Sequence, residues 1–293
     1  LTSRIGTFTT QLGECPIWDA AEQRLWLLDC RRGLILRVDP VNANCTSLAL
    51  PPPLGSLALC AGGRLIVALK ETIELVDPDT GDRQVLARID DSHLNLRLND
   101  GVALPDGSFL VGTMHVPREP EEQPLGGIYH LRIDGRLHKL AGGFGITNGP
   151  RIDPTTGRLY VCDTEQRLIF SYAWTEDRHL TDRRIFASTA PWQSGPDGCC
   201  FDQEGGLWTA LVRVGALARF DREGRLTDRI DLPLTHPTAL CFGGLDLSEI
   251  FVTSIQDSGR LRGDRALDGA LLRVDTGGRF HGYPSALCSI DDR

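Results

Sequence analysis

The chain repeats one short phrase of sequence six times, and that repetition limits what it can fold into. A Gly- or Asp-rich turn leads into a short apolar run, a second turn follows, and a further apolar run ends in a charge. The first runs are Leu25-Trp26-Leu27-Leu28-Asp29, Leu65-Ile66-Val67-Ala68, Phe109-Leu110-Val111-Gly112-Thr113 and Leu159-Tyr160-Val161-Cys162-Asp163. Leu207-Trp208-Thr209-Ala210 and Ile250-Phe251-Val252-Thr253 complete the set. Variants of one turn announce several of them, at 19–24, 105–108, 153–158 and 202–206. A period of roughly 40–50 residues built of short strands is the signature of propeller blades. The expected fold is all-β: one six-bladed β-propeller domain spanning residues 1–293, with four antiparallel strands per blade. In such a ring the inner strands converge on one channel, so residues far apart in sequence meet there.

The first blade illustrates the reading, with strands at 24–29, 34–39 and 45–50 and a hairpin glycine at Gly33. A ring needs closing, and residues 5–10 alternate like a strand. They are expected to pair with the last blade beside the C-terminal segment, removing an exposed edge. The Pro-rich segment 117–124, with Arg118, Glu119, Glu121 and Glu122, reads first as a solvated loop and second as a lid over the channel.

A formal charge of −8 argues against nucleic acid and anionic membrane surfaces as partners, and leaves a small neutral molecule open. No stretch approaches the ~20 apolar residues of a membrane span, and no secretory leader is expected. The nine cysteines form no C-x-x-C pair and sit in or beside apolar runs, which reads as buried thiols of a cytoplasmic protein. The Cys199-Cys200 pair should point to opposite faces of a strand and pack. A monomer or weak homodimer is expected.

Four polar segments interrupt the repeat, each placed just before an inner strand: Leu12-Gly13-Glu14-Cys15-Pro16-Ile17-Trp18, Arg97-Leu98-Asn99-Asp100-Gly101, Thr147-Asn148-Gly149-Pro150 and Gly195-Pro196-Asp197-Gly198. Singly, Asn-Gly and Asp-Gly are favoured turn dipeptides. Together, the same residue type recurs at the same blade position, and propeller geometry would aim all four into the channel. Glu14, Asn99, Asn148 and Asp197 supply oxygen donors only, which suit a hard divalent cation such as calcium, magnesium or manganese. Without a cation, converging carboxylates repel and at least one pKa rises.

These segments resemble the family of senescence marker protein (regucalcin), gluconolactonases and related sugar lactonases. The likeness also takes in Gly112-Thr113-Met114, Gly206-Leu207-Trp208-Thr209-Ala210 and Cys241-Phe242-Gly243-Gly244, and so covers nearly the whole chain. It implies a six-bladed propeller that hydrolyses aldonolactones in carbohydrate catabolism with one divalent cation, calcium first, with zinc, manganese, magnesium or ferrous iron as alternatives. It places metal ligands at Glu14, Asn148 and Asp197, a general base at Asp197, and substrate contacts at Arg97 and Asn99. Two departures stand out. Cys15 replaces the family's glycine after the first ligand, and Pro117 stands where some members carry a substrate-binding glutamate, with Glu119, Glu121 or Glu122 as nearby substitutes.

Other chemistries find no motif: there is no G-x-S-x-G, H-E-x-x-H or G-x-x-x-x-G-K-[ST]. Of the seven histidines, His115 follows the third inner strand and reads as a loop or rim residue before it reads as a channel residue. The alternative function is a non-catalytic calcium-binding or protein-binding propeller, although the only Trp-Asp dipeptide is Trp18-Asp19. The sugar and the metal stay open. Arg31, Arg32, Arg151 and Arg213 are candidates for contacting an acidic or sulfonated substrate.

Overall fold

Each recurring apolar run is the second strand of a four-stranded antiparallel sheet, and is buried because a neighbouring blade covers each of its faces. A computed structural model of the protein describes residues 1–175 and 179–290, which hold six such sheets arranged as a ring. The fold is a six-bladed β-propeller. The innermost strands of blades 1 to 6 are Gly13–Asp19, Ser56–Leu59, Leu96–Ala103, Thr147–Ile152, Pro196–Phe201 and Pro237–Gly243. Each packs against the innermost strand of the blades on both sides, and the last meets the first. The described residues contain no α-helix, only a short 3-10 turn at Ala190–Trp192. No helix is long and apolar enough to cross a membrane.

Burial falls outward along each blade. The second strand of blade 1, Arg24–Asp29, is buried from Leu25 onward, whereas its outermost strand, Cys45–Ala49, is largely exposed. The core is accordingly divided into six clusters, each formed between two adjacent blades. In one, Trp18 of blade 1 stacks on Phe251 of blade 6 with ring centroids 5.6 Å apart. The announcing turns owe their Asp to hydrogen bonding: Asp19, Asp106, Asp153 and Asp202 each accept from the backbone N–H two residues on, at 2.8–3.1 Å.

The recurring runs are not the inner strands, as the sequence suggested. The polar segments themselves occupy that place, which puts them on the channel wall rather than on loops before it. Ring closure also differs in detail. The closing strand is Thr2–Ile5, paired antiparallel with Leu271–Asp275 as the outermost strand of blade 6, not residues 5–10. Gly6 takes φ +66° and ends the strand directly after Ile5. Thr10 then fastens the chain, its N–H and its Oγ1 both donating to the Gly269 carbonyl. Deleting the first ten residues should strip four ladder pairs and the buried Ile5 from blade 6, lowering stability by roughly 3 kcal/mol or more. An unchanged melting temperature in the truncated protein would show that this strand does not hold the ring.

All nine cysteines are free thiols, and Cys45 is the exposed one. Cys199 and Cys200 pair with successive residues of the next strand; Cys199 is fully buried, its Sγ 3.1 Å from that of Cys162.

Candidate active site

A regular strand cannot aim two successive side chains into the channel, but a bulged one can redirect them. Five of the six innermost strands slip register against their neighbours. The slips lie between Glu14 and Ile17, Leu98 and Gly101, Asn148 and Arg151, Pro196 and Cys199, and Pro237 and Leu240. Only Ser56–Leu59 pairs without one, and blade 2 is also a blade without a candidate ligand. Glu14, Asn99, Asn148 and Asp197 all stand within these slips. Tight backbone is part of the device. Gly149 has φ +50°, and a Cβ there would lie 2.7 Å from the Cys199 sulfur and 2.9 Å from the Asp197 carbonyl. Cys15 is held at φ +50° without being glycine, a left-handed conformation that glycine adopts without strain. Its thiol accepts from the Leu57 N–H and donates to the Leu57 carbonyl, both at 3.4 Å, offsetting part of that strain.

One cavity of about 620 Å³ is lined by Glu14, Arg97, Asn99, Asn148 and Asp197 together. Asn148 Nδ2 donates to Thr164 Oγ1 at 2.7 Å, and Thr164 itself donates to the Pro196 carbonyl at 2.7 Å. The hydroxyl can therefore only accept from Asn148, which fixes the amide and turns its oxygen toward Asn99, whose Nδ2 donates to it at 2.6 Å. Asn99 also donates to the Thr147 carbonyl at 3.0 Å. Arg97 donates to the Leu98 carbonyl at 2.9 Å and has no carboxylate within ion-pair distance among the described residues. Burial holds its pKa below the usual arginine value.

The sequence missed Asp100. It is buried, accepting from the N–H groups of Gly101 and Gly149, each at 2.8 Å. Its charge completes a crowd of three carboxylates with Glu14 and Asp197. Burial first, then Asp100, pushes Glu14 up to about 8, against a smaller lowering by Arg97. Burial, then Glu14 and Asp100, pushes Asp197 well above the usual carboxylate range. Asp197 Oδ1 is buried with no hydrogen-bond partner. An orphaned carboxylate oxygen beside a second carboxylate and an oriented amide oxygen fits a divalent cation, which would neutralise the pair and fill the missing contact.

Other residues fall elsewhere. Arg31 is paired with Asp257 at 2.7 Å, Arg32 donates to the Thr9 carbonyl at 3.0 Å, and Arg151 lines a separate cavity of about 180 Å³. Only Arg213 of that group lines the candidate site. Neither Pro117 nor Glu119, Glu121 or Glu122 lines it; the acidic residue on that side is Glu165, held by Arg118 at 2.7 Å. The loop is solvated along most of its length, with Pro117, Glu119, Pro120, Glu121 and Gln123 exposed, and is anchored at Arg118 and Glu122. His115 is a buried strand residue, not a rim one. It forms a cluster with His93 and Glu122 whose ligand-type atoms lie within 4.8 Å of one another. Backbone donors fix both rings: Leu125 N–H points at His115 Nδ1 at 3.2 Å and Asn95 N–H at His93 Nδ1 at 3.1 Å. His115 Nε2 lies 3.0 Å from His93 Nδ1, and the Nε2 atoms of both rings lie 3.4 Å from Glu122 Oε1. A hydrogen-bonded clasp for the loop accounts for this group without a metal.

The SMP-30/gluconolactonase/LRE-like region matches residues 12–256, a span that includes Glu14, Arg97, Asn99, Asn148 and Asp197. The chain belongs to that family. Among its relatives, a 6-deoxy-6-sulfogluconolactonase of Pseudomonas putida is 34% identical over 84% of each chain. A pentonolactonase of Haloferax volcanii is 30% identical over 93% of this chain and 94% of its own. The crystal structure of a calcium-binding regucalcin from Agrobacterium tumefaciens superimposes with a TM-score of 0.86 at 25% identity, covering 97% of this chain and 96% of that one.

Proposed function

We propose that the protein is a metal-dependent sugar lactonase, opening a cyclic ester of an aldonic acid in carbohydrate catabolism. One observation carries the reading: oxygen donors from three blades meet in a single sugar-sized cavity, and one of them, Asp197 Oδ1, is buried without a partner. The lactonase names of two relatives at 30–34% identity support it, as does the calcium-binding description of the structural neighbour for the cation. Glu14, Asn148 and Asp197 would hold the cation, calcium first and zinc, manganese, magnesium or ferrous iron as alternatives. A cation held there supplies Lewis-acid polarisation of the lactone carbonyl and a more acidic water.

The chain's own groups supply the rest. The Asp197 carboxylate accepts a proton from the attacking water through the oxygen not used as a ligand, which answers the objection that a ligated carboxylate is a weak base. The water oxygen bonds to the carbonyl carbon, the ring C–O bond breaks, and the departing ring oxygen takes the proton back from Asp197. Arg97 and Asn99 orient the carbonyl and sugar hydroxyls. Asn148 is kept in its amide orientation by Thr164. The enzyme acts as a soluble cytoplasmic monomer or weak homodimer on a small molecule.

Acid release from a panel of δ- and γ-lactones, followed at constant pH, tests the reading. Turnover of aldonolactones is expected, and a panel with no turnover under metal-replete conditions would leave the calcium-binding alternative. Arg97→Ala should raise KM, with kcat changed less and metal content intact, because positioning and not ligation is lost. Loss of bound metal in that variant would remove Arg97 from the substrate role.

A further inference from the structure

Every blade carries a basic residue on the turn that joins its second and third strands: Arg31, Lys70, Arg118, Arg167, Arg213 and Arg260 from blade 1 to blade 6. These turns stand at the same end of the propeller as the candidate ligands. The antiparallel order brings the close of each second strand beside the opening of its inner strand. Half of the ring is neutralised locally. Arg31 pairs with Asp257 at 2.7 Å, Lys70 with Glu71 at 3.8 Å and Arg118 with Glu165 at 2.7 Å. Arg167, Arg213 and Arg260, on three consecutive blades, make no ion pair among the described residues, and all three line the cavity that holds Glu14, Asn148 and Asp197.

The lining of this cavity is rich in arginine for a chain charged −8 overall. Its lining has four arginines, counting Arg97, against three carboxylates. Glu165 is already held by Arg118, and the reading above assigns Glu14 and Asp197 to a cation. Four guanidiniums are then left facing one concave space. Keeping like charges together there costs energy that an anion would relieve, and guanidinium forks match oxyanions with paired, charge-assisted hydrogen bonds. Burial holds Arg260 below its ordinary pKa, with Glu165 pulling the other way and the nearby Arg213 and Arg118 charges adding to the lowering. Building the arc does not depend on the side chains: the Arg213 turn is fixed through its backbone N–H, which donates to Ser194 Oγ at 2.9 Å, and Arg167 sits at φ +59° in a tight turn whose carbonyl accepts from Thr189 N–H at 2.9 Å.

We infer that Arg167, Arg213 and Arg260 form an oxyanion subsite, so that the favoured substrate is a sugar lactone bearing a terminal sulfonate or phosphate and not a neutral one. The inference rests on the lactonase reading for the reacting end of the molecule and on the arginine arc for the other.

The test compares kcat/KM for glucono-δ-lactone, its terminal phosphate ester and its terminal sulfonate, in low and high salt. The wild-type protein is expected to prefer at least one anionic lactone by about tenfold or more, a preference that shrinks with salt. Arg213→Ala and Arg260→Ala should each bring the anionic-to-neutral ratio down by about tenfold, and Arg213→Lys should keep part of it. Whether the phosphate or the sulfonate gains more identifies the oxyanion. A second measurement separates the two readings: calorimetric binding of gluconate and of its terminal phosphate ester, which needs no turnover. Selective binding of the phosphorylated acid, erased in Arg213→Ala, supports the subsite even if no lactone is hydrolysed. Equal kcat/KM for neutral and anionic lactones, with equal binding of the two acids, overturns it.

Discussion

Asp197→Asn is expected to cut lactone hydrolysis by about 10²–10⁴-fold, the range for removing a general base, while the folded protein keeps part of its cation affinity. The exchange preserves size and leaves an oxygen donor, so the ligand role survives in part. The amide cannot take a proton, so the chemical step does not. The loss should appear in kcat and kcat/KM together, since the missing interaction is made only in the transition state. A competing account makes Asp197 a turn former before Gly198, where Asn would serve equally well. Asp197 lies inside the strand Pro196–Phe201 at a register slip, 6% exposed, with one carboxylate oxygen lacking any partner. A hairpin turn residue would satisfy that oxygen with local N–H groups, as Asp202 does with those of Glu204 and Gly206. Near wild-type turnover by Asp197→Asn with metal still bound would remove the base from Asp197.

The propeller was legible because its two signals are local. Second strands squeezed between blades must be apolar throughout, and the turns between strands need Asp or Gly for their backbone. Both leave marks in a single sequence at a fixed period. Which strand lines the channel was misread for the same reason: apolarity marks the most buried strand, and in a propeller that is the second, because the first faces a polar cavity. The bulges that aim Glu14, Asn148 and Asp197 look in sequence like turns, since Asn148-Gly149 and Asp197-Gly198 use turn dipeptides inside strands. Asp100 stayed hidden beside Asn99 because its partner, the Gly149 N–H, belongs to the next blade. The same is true of Glu165, Arg167 and Arg260, which reach the cavity from the turns between second and third strands. No local pattern records which turn residues of different blades share a space. Ring closure was located on the right blade and on the wrong residues, displaced by the unanticipated break at Gly6.

Removing the cation should abolish activity outright, and the affinity for its return should climb with pH. Glu14 titrates near 8 and Asp197 well above its ordinary range, burial being the largest cause for each and their mutual repulsion adding to it. In the metal-free protein these groups hold protons that the unfolded chain has already lost at neutral pH. Stability of the metal-free fold therefore falls as pH rises from the ordinary carboxylate range to about 8, since each pH step favours the state binding fewer protons. A bound cation keeps both carboxylates ionised, so its binding must expel those protons. The melting-temperature gain from added calcium should accordingly be small near about pH 5 and grow toward about 8, with proton release seen by calorimetry in buffers of different ionisation enthalpy. Glu14→Gln should flatten that pH dependence, because a neutral amide has no proton to give up. Elemental analysis of the purified protein names the metal, and titration of the chelated protein with calcium, zinc, manganese, magnesium and ferrous iron ranks them. Full activity in a preparation shown to be metal-free, with one melting temperature at every pH whether or not a cation is added, would take away both the ligand set and the mechanism built on it.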